Sequence, residues 1–237
     1  MVYEIVKKIF KSILPKKIKN MFFFRNEEPK YVRFSYSQEG EDLILARIFN
    51  EKNSGFYIDV GAYHPKRLSN TYYFYRRGWH GINIDAMPGG MKTFHELRPR
   101  DINLEVAISD RNDEQTYYIF EQKPINTFSQ ILAKEYIDLG YKLIDKLPIK
   151  AYSLFSILEQ HLPEHTVIDF ISIDVEGLEI NVLKSNNWLK YSPRFILIEE
   201  LKFDINHLDE CDVYRFLVPL GYTFFAKTYN TIFFKKD

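Results

Sequence analysis

The stretch Gly55-Phe56-Tyr57-Ile58-Asp59-Val60-Gly61-Ala62-Tyr63-His64-Pro65 decides the fold of this chain. Phe56 to Val60 reads as a buried strand, and Gly61 just past it lets the backbone approach a ligand closely. Asp59 adds an acid that can hydrogen-bond an ammonium or a hydroxyl there. Gly81-Ile82-Asn83-Ile84-Asp85 follows as a second strand ending in an acid, and Ser69 to Arg77 leaves room between them for one crossover helix.

Outward from this pair, short strands alternate with helices. Strands are predicted at Ile102 to Ala107, Val167 to Asp174 and Arg194 to Glu199, and helices at Gly89 to Leu97, Leu178 to Ser185 and Asp209 to Leu217. This alternation predicts an α/β fold, a mostly parallel sheet with helices on both faces. Tyr222 to Lys227 and Thr231 to Lys235 are aromatic and β-rich, and only Thr228-Tyr229-Asn230 separates them. So short a connection forces an antiparallel hairpin. Residues 111–166 are the least regular, with a strand-like Gln115 to Phe120 and helices near Ser129 to Leu139 and Ser153 to Gln160. They read as an insertion over the sheet's carboxyl edge, where open α/β sheets carry their substrate loops.

The 237 residues are 46% apolar and 27% charged, which excludes a disordered or collagen-like chain. Basic and acidic residues number 32 each, and a net charge of zero argues against a surface built wholly for nucleic acid. Cys211, the single cysteine, excludes a disulfide-stapled scaffold and a Cys-based zinc site, and points to a reducing cytoplasm. No apolar run reaches the roughly 18 residues of a membrane span. The zero is unevenly distributed. Residues 1–25 hold Lys7, Lys8, Lys11, Lys16, Lys17, Lys19 and Arg25 against the single acid Glu4, a local charge of +6 that leaves −6 for the rest. Val2, Ile5, Val6, Ile9, Ile13 and Leu14 recur among these lysines at helical spacing, and Phe22 to Phe24 follow. Residues 1–32 are therefore set apart as a basic amphipathic segment from a domain at 33–237. The segment is expected either to contact a membrane surface peripherally, at its inner face, or to cap the domain as a leading helix.

The loop after the first strand has one glycine where a dinucleotide fingerprint needs three, and the chain has no phosphate-cradling Lys-Ser/Thr pair, which argues against NAD, FAD and P-loop nucleotides. Two acids at the ends of adjacent strands instead suggest a nucleoside without a pyrophosphate, and S-adenosylmethionine fits that description.

Six segments then occur in an order that resembles the FkbM-type S-adenosylmethionine-dependent methyltransferases. They are Ser37-Gln38-Glu39-Gly40-Glu41-Asp42, Phe56 to Ala62, Ser69-Asn70-Thr71 with Gly78-Trp79, Ile84 to Pro88, Ala107-Ile108-Ser109-Asp110, and Ile171 to Gly177. The resemblance implies the class I methyltransferase fold, a Rossmann-like seven-stranded sheet whose last strand is antiparallel. It also implies O-methylation of a sugar hydroxyl on a glycan or nucleotide-sugar, in polysaccharide biosynthesis. Position by position, it implies that Asp59, Gly61 and Ala62 meet the methionine and ribose parts of the cofactor. Asp85 and Ala86 would take the ribose, Ala107, Ile108 and Ser109 would border the adenine, and Gln38 and Glu41 would close over the cofactor. Tyr63-His64 departs from the small polar residue or glycine common in the family.

Methyl transfer to a sugar hydroxyl requires in-line alignment and removal of a proton whose pKa is far above neutral. His64 at the carboxyl edge is the candidate base, or it only stacks on or hydrogen-bonds the cofactor loop. Asp174 and Glu176 follow the fourth strand and Glu199 ends the fifth, so these acids are expected to converge as catalytic groups or as ligands of Mg2+ or Mn2+. In the alternative, Asp174 and Glu176 orient the acceptor or cap a helix. Arg98 and Arg100 either grip the phosphate of a nucleotide-sugar or form a solvated helix end, Trp79 and Trp188 either stack on a sugar ring or, in their apolar stretches, pack in the core, and His161 with His165 is a weak metal pair. An N-methyltransferase acting on an amine and a non-catalytic cofactor-binding scaffold remain as alternatives.

Overall fold

The computed structural model describes residues 31–201 and 203–237. The chain divides into two units, Met1–Phe34 and Ser35–Asp237, and the second carries the sheet. The expected amphipathic helix and the Phe22 to Phe24 run lie outside the described residues.

Helix α1 (Glu41–Ile48) leads into β1 (Phe56–Val60), α2 (Tyr72–Arg76), β2 (His80–Asp85), α3 (Met91–Leu97) and β3 (Ile102–Glu105). Next come β4 (Ala107–Ile108), β5 (Glu114–Phe120), α4 (Gln130–Asp138) and β6 (Leu143–Tyr152). The alternation resumes with α5 (Leu154–His161), β7 (Phe170–Ile173), α6 (Glu179–Lys184), β8 (Phe195–Glu199) and α7 (Asp212–Leu217), and the chain closes on β9 (Tyr222–Lys227) and β10 (Thr231–Lys236). Seven strands form one sheet in the order β3-β2-β1-β7-β8-β10-β9. All neighbours from β3 to β8 are parallel, and β10 runs antiparallel to both β8 and β9. The strand order reverses between β1 and β7, and in an open α/β sheet that switch point opens a crevice at the carboxyl ends.

Alternate residues of each strand face opposite sides, which sorts the apolar side chains into two cores. Ile58, Val60, Ile82, Ile84, Ile171, Ile173, Ile196 and Ile198 pack with Leu154 and Leu158 of α5, Val182 of α6 and Val213 of α7. Tyr57, Phe170, Phe195, Leu197 and Phe233 pack on the other side with Leu45 of α1 and Phe74 of α2. Phe49 lies at the centre of this second core, with ring centroids 5.3 Å from Trp79 and 5.6 Å from Phe195. Both tryptophans are core residues, Trp79 fully buried and Trp188 6% exposed.

The expected third strand is broken. Ile102–Glu105 stays in the main sheet, whereas Ala107–Ile108 leaves it to pair with β6 in a second sheet of order β4-β6-β5. Strand β6 was not expected from the sequence. Pro148 interrupts its run and lacks the N–H a central strand needs, but most of β6 pairs on one side only, with β5, and an unpaired edge tolerates a proline. Residues 111–166 thus resolve into the hairpin-like β5–β6 pair with α4, and α5, whose Leu154, Ile157 and Leu158 belong to the main core.

Candidate active site

A cavity of about 410 Å³ opens at the switch point. Its lining includes Gly61 and His64 after β1, Asp85, Ala86 and Met87 after β2, Ala107 and Ile108 of β4, and Asp174 and Glu176 after β7. Gln38 lines it from the segment before α1, and Tyr117, Asn126 and Phe128 line it from the insertion. Its size falls within the roughly 300–1,000 Å³ of small-molecule sites.

Asp85 is held on both oxygens. Oδ2 accepts from the Tyr63 N–H at 2.8 Å and Oδ1 from the Met87 N–H at 2.8 Å, so one carboxylate ties the two strand-end loops together. Burial raises its pKa against these two hydrogen bonds. Each oxygen keeps a further lone pair that can accept from a ligand hydroxyl. Gly61 has φ of 84°, and a Cβ there would meet the Asp174 carbonyl oxygen at 1.6 Å. The glycine is therefore required by the approach of the β1 and β7 ends, in addition to any ligand contact.

His64 presents a different chemistry from a base. Its Nδ1 accepts from the N–H groups of Lys66 at 3.1 Å and Arg67 at 3.0 Å, which places the proton of the neutral ring on Nε2. Burial, then the charges of Arg67 and Lys66, lower its pKa. The ring lines the cavity and caps its own turn.

The carboxylates after β7 and β8 do converge. Asp174, Glu176 and Glu199 each bring an oxygen within 4.8 Å of the others, and among the described residues only this trio could hold a metal ion. Glu199 itself does not line the cavity, whereas Asp174 and Glu176 do. Burial pushes Glu176 up to about 7, against the hydrogen bond from Tyr136, and pushes Glu199 up to about 8, with the charges of Glu176 and Glu179 adding to it. Asp174 lies well above the usual carboxylate range, through burial and the charge of Glu199. Glu176 has φ of 54°, a left-handed conformation uncommon for a residue with a side chain. The insertion holds it there: the Tyr136 hydroxyl donates to Glu176 Oε2 at 2.8 Å, and Thr127 Oγ1 donates to the Glu176 carbonyl at 2.7 Å. Glu179, one turn on, accepts from the N–H groups of Val175 and Gly177.

Other expected cofactor residues lie outside the cavity lining. Asp59 is buried and accepts from Thr71 Oγ1 at 2.6 Å. Ala62 packs against Met91 and Phe94. Glu41 accepts from the Glu39 N–H and from Thr228 Oγ1, which ties the start of α1 to the β9–β10 turn. Ser109 accepts from Gln115 Nε2 at 2.7 Å. The expectation that Arg98 grips a phosphate is corrected. Its guanidinium is fully buried, with Nε 2.8 Å from Asp101 Oδ2 and with donations to the Tyr57 hydroxyl at 2.7 Å and Thr71 Oγ1 at 3.0 Å. No surface remains for a ligand. Arg100 donates to the Tyr75 carbonyl and covers its ring. His161 and His165 join no metal-competent cluster among the described residues.

Tyr117, Asn126, Phe128 and Tyr136 were not singled out from the sequence. They lie far in sequence from the strand ends they face, Tyr136 being 40 residues from Glu176, in the segment with the weakest periodicity, and only folding of the insertion brings them there.

The strand order, the antiparallel last pair and a cleft at the switch point with acids after β2 and β7 define a class I methyltransferase fold. The sequence profile of the methyltransferase FkbM domain matches residues 59–224, and the chain belongs to this family of S-adenosylmethionine-dependent methyltransferases. Solved structures similar to this chain include the TehB-like SAM-dependent methyltransferase from Corynebacterium glutamicum, at 10% identity and a TM-score of 0.42, with 90% of this chain and 94% of that chain covered. The O-methyltransferase from Bacillus cereus in complex with SAH is another, at 10% identity and a TM-score of 0.41, covering 92% of this chain and 94% of that one. No curated protein shows significant sequence similarity to the chain. Among the described residues, no helix is long and apolar enough to cross a membrane.

Proposed function

We propose that the protein O-methylates a sugar hydroxyl of a glycan or nucleotide-sugar, with S-adenosylmethionine in the 410 Å³ cavity and Glu176 as the base. The observation that carries this reading is the continuity of one space from Asp85 to Glu176. An acid that can accept from ribose hydroxyls and a carboxylate that titrates near neutrality line the same cavity. When bound, the cofactor supplies a methyl group on a sulfonium, already a strong electrophile. Asp85 would accept from the ribose, and Gly61 would let the β1 loop lie close against the cofactor. Ala107 and Ile108 would give the adenine an apolar border. Glu176 would accept the hydroxyl proton, with Tyr136 holding Oε2 and leaving Oε1 toward the acceptor. A base titrating near 7 combines a useful ionised fraction with proton affinity, and general bases typically contribute about 10²–10⁴-fold.

The convergence of Asp174, Glu176 and Glu199 also fits a divalent cation such as Mg2+ or Mn2+, which would lower the hydroxyl's pKa through hard oxygen ligands. An amine acceptor would need neither device. Homocysteine release assayed over a panel of nucleotide-sugars, short glycans and amines separates these readings. Turnover on a hydroxyl acceptor that survives EDTA and falls at least a hundredfold in Glu176→Gln is expected. Turnover abolished by EDTA and restored by Mg2+ would establish the cation instead, and turnover on amines alone would replace O-methylation. The +6 charge of residues 1–25 supports work in the cytoplasm at an anionic membrane surface, where glycans are assembled. Co-sedimentation with anionic but not neutral vesicles is the expected result.

A further inference from the structure

Tyr117 of β5 and Phe128, in the bend before α4, lie 4.4 Å apart between ring centroids with their planes tilted by 31°, and both line the cavity. This aromatic pair is preorganised. Tyr118 and Thr127 exchange backbone hydrogen bonds of 2.8 and 3.2 Å, Asn126 Oδ1 accepts from the Phe120 N–H at 2.8 Å, and Thr127 is fully buried. The Tyr117 hydroxyl is hydrogen-bonded to Asn126 and feels the charges of both Asp85 and Glu176. Burial raises its pKa, so the ring stays neutral and its face keeps the electron-rich character that attracts cations.

With the ribose on Asp85 and the acceptor hydroxyl on Glu176, as proposed above, the donor methyl would lie between these two acids of one cavity. Tyr117 and Phe128 line the same cavity as both acids. We propose that Tyr117 and Phe128 form an aromatic subsite for the sulfonium, distinguishing the charged methyl donor from its neutral thioether product. The inference rests on the reading of this cavity as the cofactor site. It gives the inserted sheet a role in the reaction cycle: methyl transfer removes the positive charge the rings hold, which loosens the product.

Calorimetry of the full chain with S-adenosylmethionine and with S-adenosylhomocysteine tests this without any acceptor. Tyr117→Leu and Phe128→Leu are expected to weaken the sulfonium ligand roughly tenfold and the thioether by about twofold at most, whereas Tyr117→Phe keeps the ratio of the two affinities. A ratio unchanged in both leucine variants overturns the proposal, whether the two affinities hold or fall together. Phe128 is only half-buried, so its variant decides the matter if Tyr117→Leu does not fold. Wild-type protein that binds neither ligand removes the cofactor reading itself, an outcome distinct from a normal wild type with unaltered variants.

Discussion

Gly61 and Asp174 meet backbone to backbone at the carboxyl edge, so close that a Cβ on Gly61 would lie 1.6 Å from the Asp174 carbonyl oxygen. The Asp174 N–H in turn donates to the Val60 carbonyl at 3.0 Å, continuing the β1–β7 ladder to the edge of the cavity. The turn after β1 and the turn that carries the acids are thereby one packed unit. A disturbance of either is transmitted to the other.

Gly61→Ala is expected to cost at least about 3 kcal/mol, from a backbone overlap added to a left-handed φ of 84°. Gly40 also has a left-handed φ, of 91°, but a Cβ there meets nothing within 4 Å, so Gly40→Ala should cost only about 1 kcal/mol. Urea unfolding of the two variants measures the difference. Equal losses would mean that the β1 and β7 ends move apart easily.

The acid cluster makes a prediction of opposite sign to the common one for carboxylates. Glu176 is raised from 4.5 to about 7 and Glu199 from 4.5 to about 8, so the folded protein keeps protons that the unfolded chain has released. Their contribution is complete below about pH 4.5 and is lost as pH rises through 7 to 8. Glu176→Gln should flatten the fall in stability across this window by on the order of 2 kcal/mol. Urea midpoints of the two proteins from pH 5 to pH 8.5 provide the check, and parallel curves would refute it.

Arg98 neutralises a fully buried network that includes Asp101 and, through Thr71, Asp59. Arg98→Met leaves these acids without their cation and should destabilise by roughly 3–5 kcal/mol. Arg100→Met removes a ring contact and one hydrogen bond to Tyr75 of α2 and should cost about 1 kcal/mol. Thermal denaturation of both variants distinguishes a structural arginine from a ligand-binding one, because a phosphate-gripping Arg98 would lower acceptor affinity and spare the melting temperature.

His64→Ala should loosen the turn that its Nδ1 caps, at a cost of about 1 kcal/mol, and weaken S-adenosylhomocysteine binding. With Glu176 as the proposed base, the acidic limb of the pH–rate profile should remain. A limb that vanishes in His64→Ala and persists in Glu176→Gln would restore His64 as the base.

The sheet was legible because its strands follow the rules that act over a few residues. Ile58, Ile82, Ile171 and Ile196 lie in apolar runs that can only be buried strands, and the three-residue spacer before Thr231 permits only a hairpin. The breaks in that legibility have physical causes. Val106 turns Ala107 out of the main sheet because β6 offers it a partner, and β6 was hidden by Pro148. Arg98 neither grips a phosphate nor lies solvated at a helix end, and the sequence does not show this because a buried arginine and a surface one look alike until their neighbours are known.

By itself the sequence determined the sheet, its antiparallel close, the acids at the strand ends and the family to which they belong, since each follows from local periodicity and short ordered motifs. Only the tertiary structure decided which of those groups face the cavity. It turned Asp59 and Glu41 to structural partners, committed His64 Nδ1 to its own turn, and brought Tyr117, Phe128 and Tyr136 across to Asp85 and Glu176. Long-range packing of the insertion supplied those contacts, and no spacing along the chain encodes them.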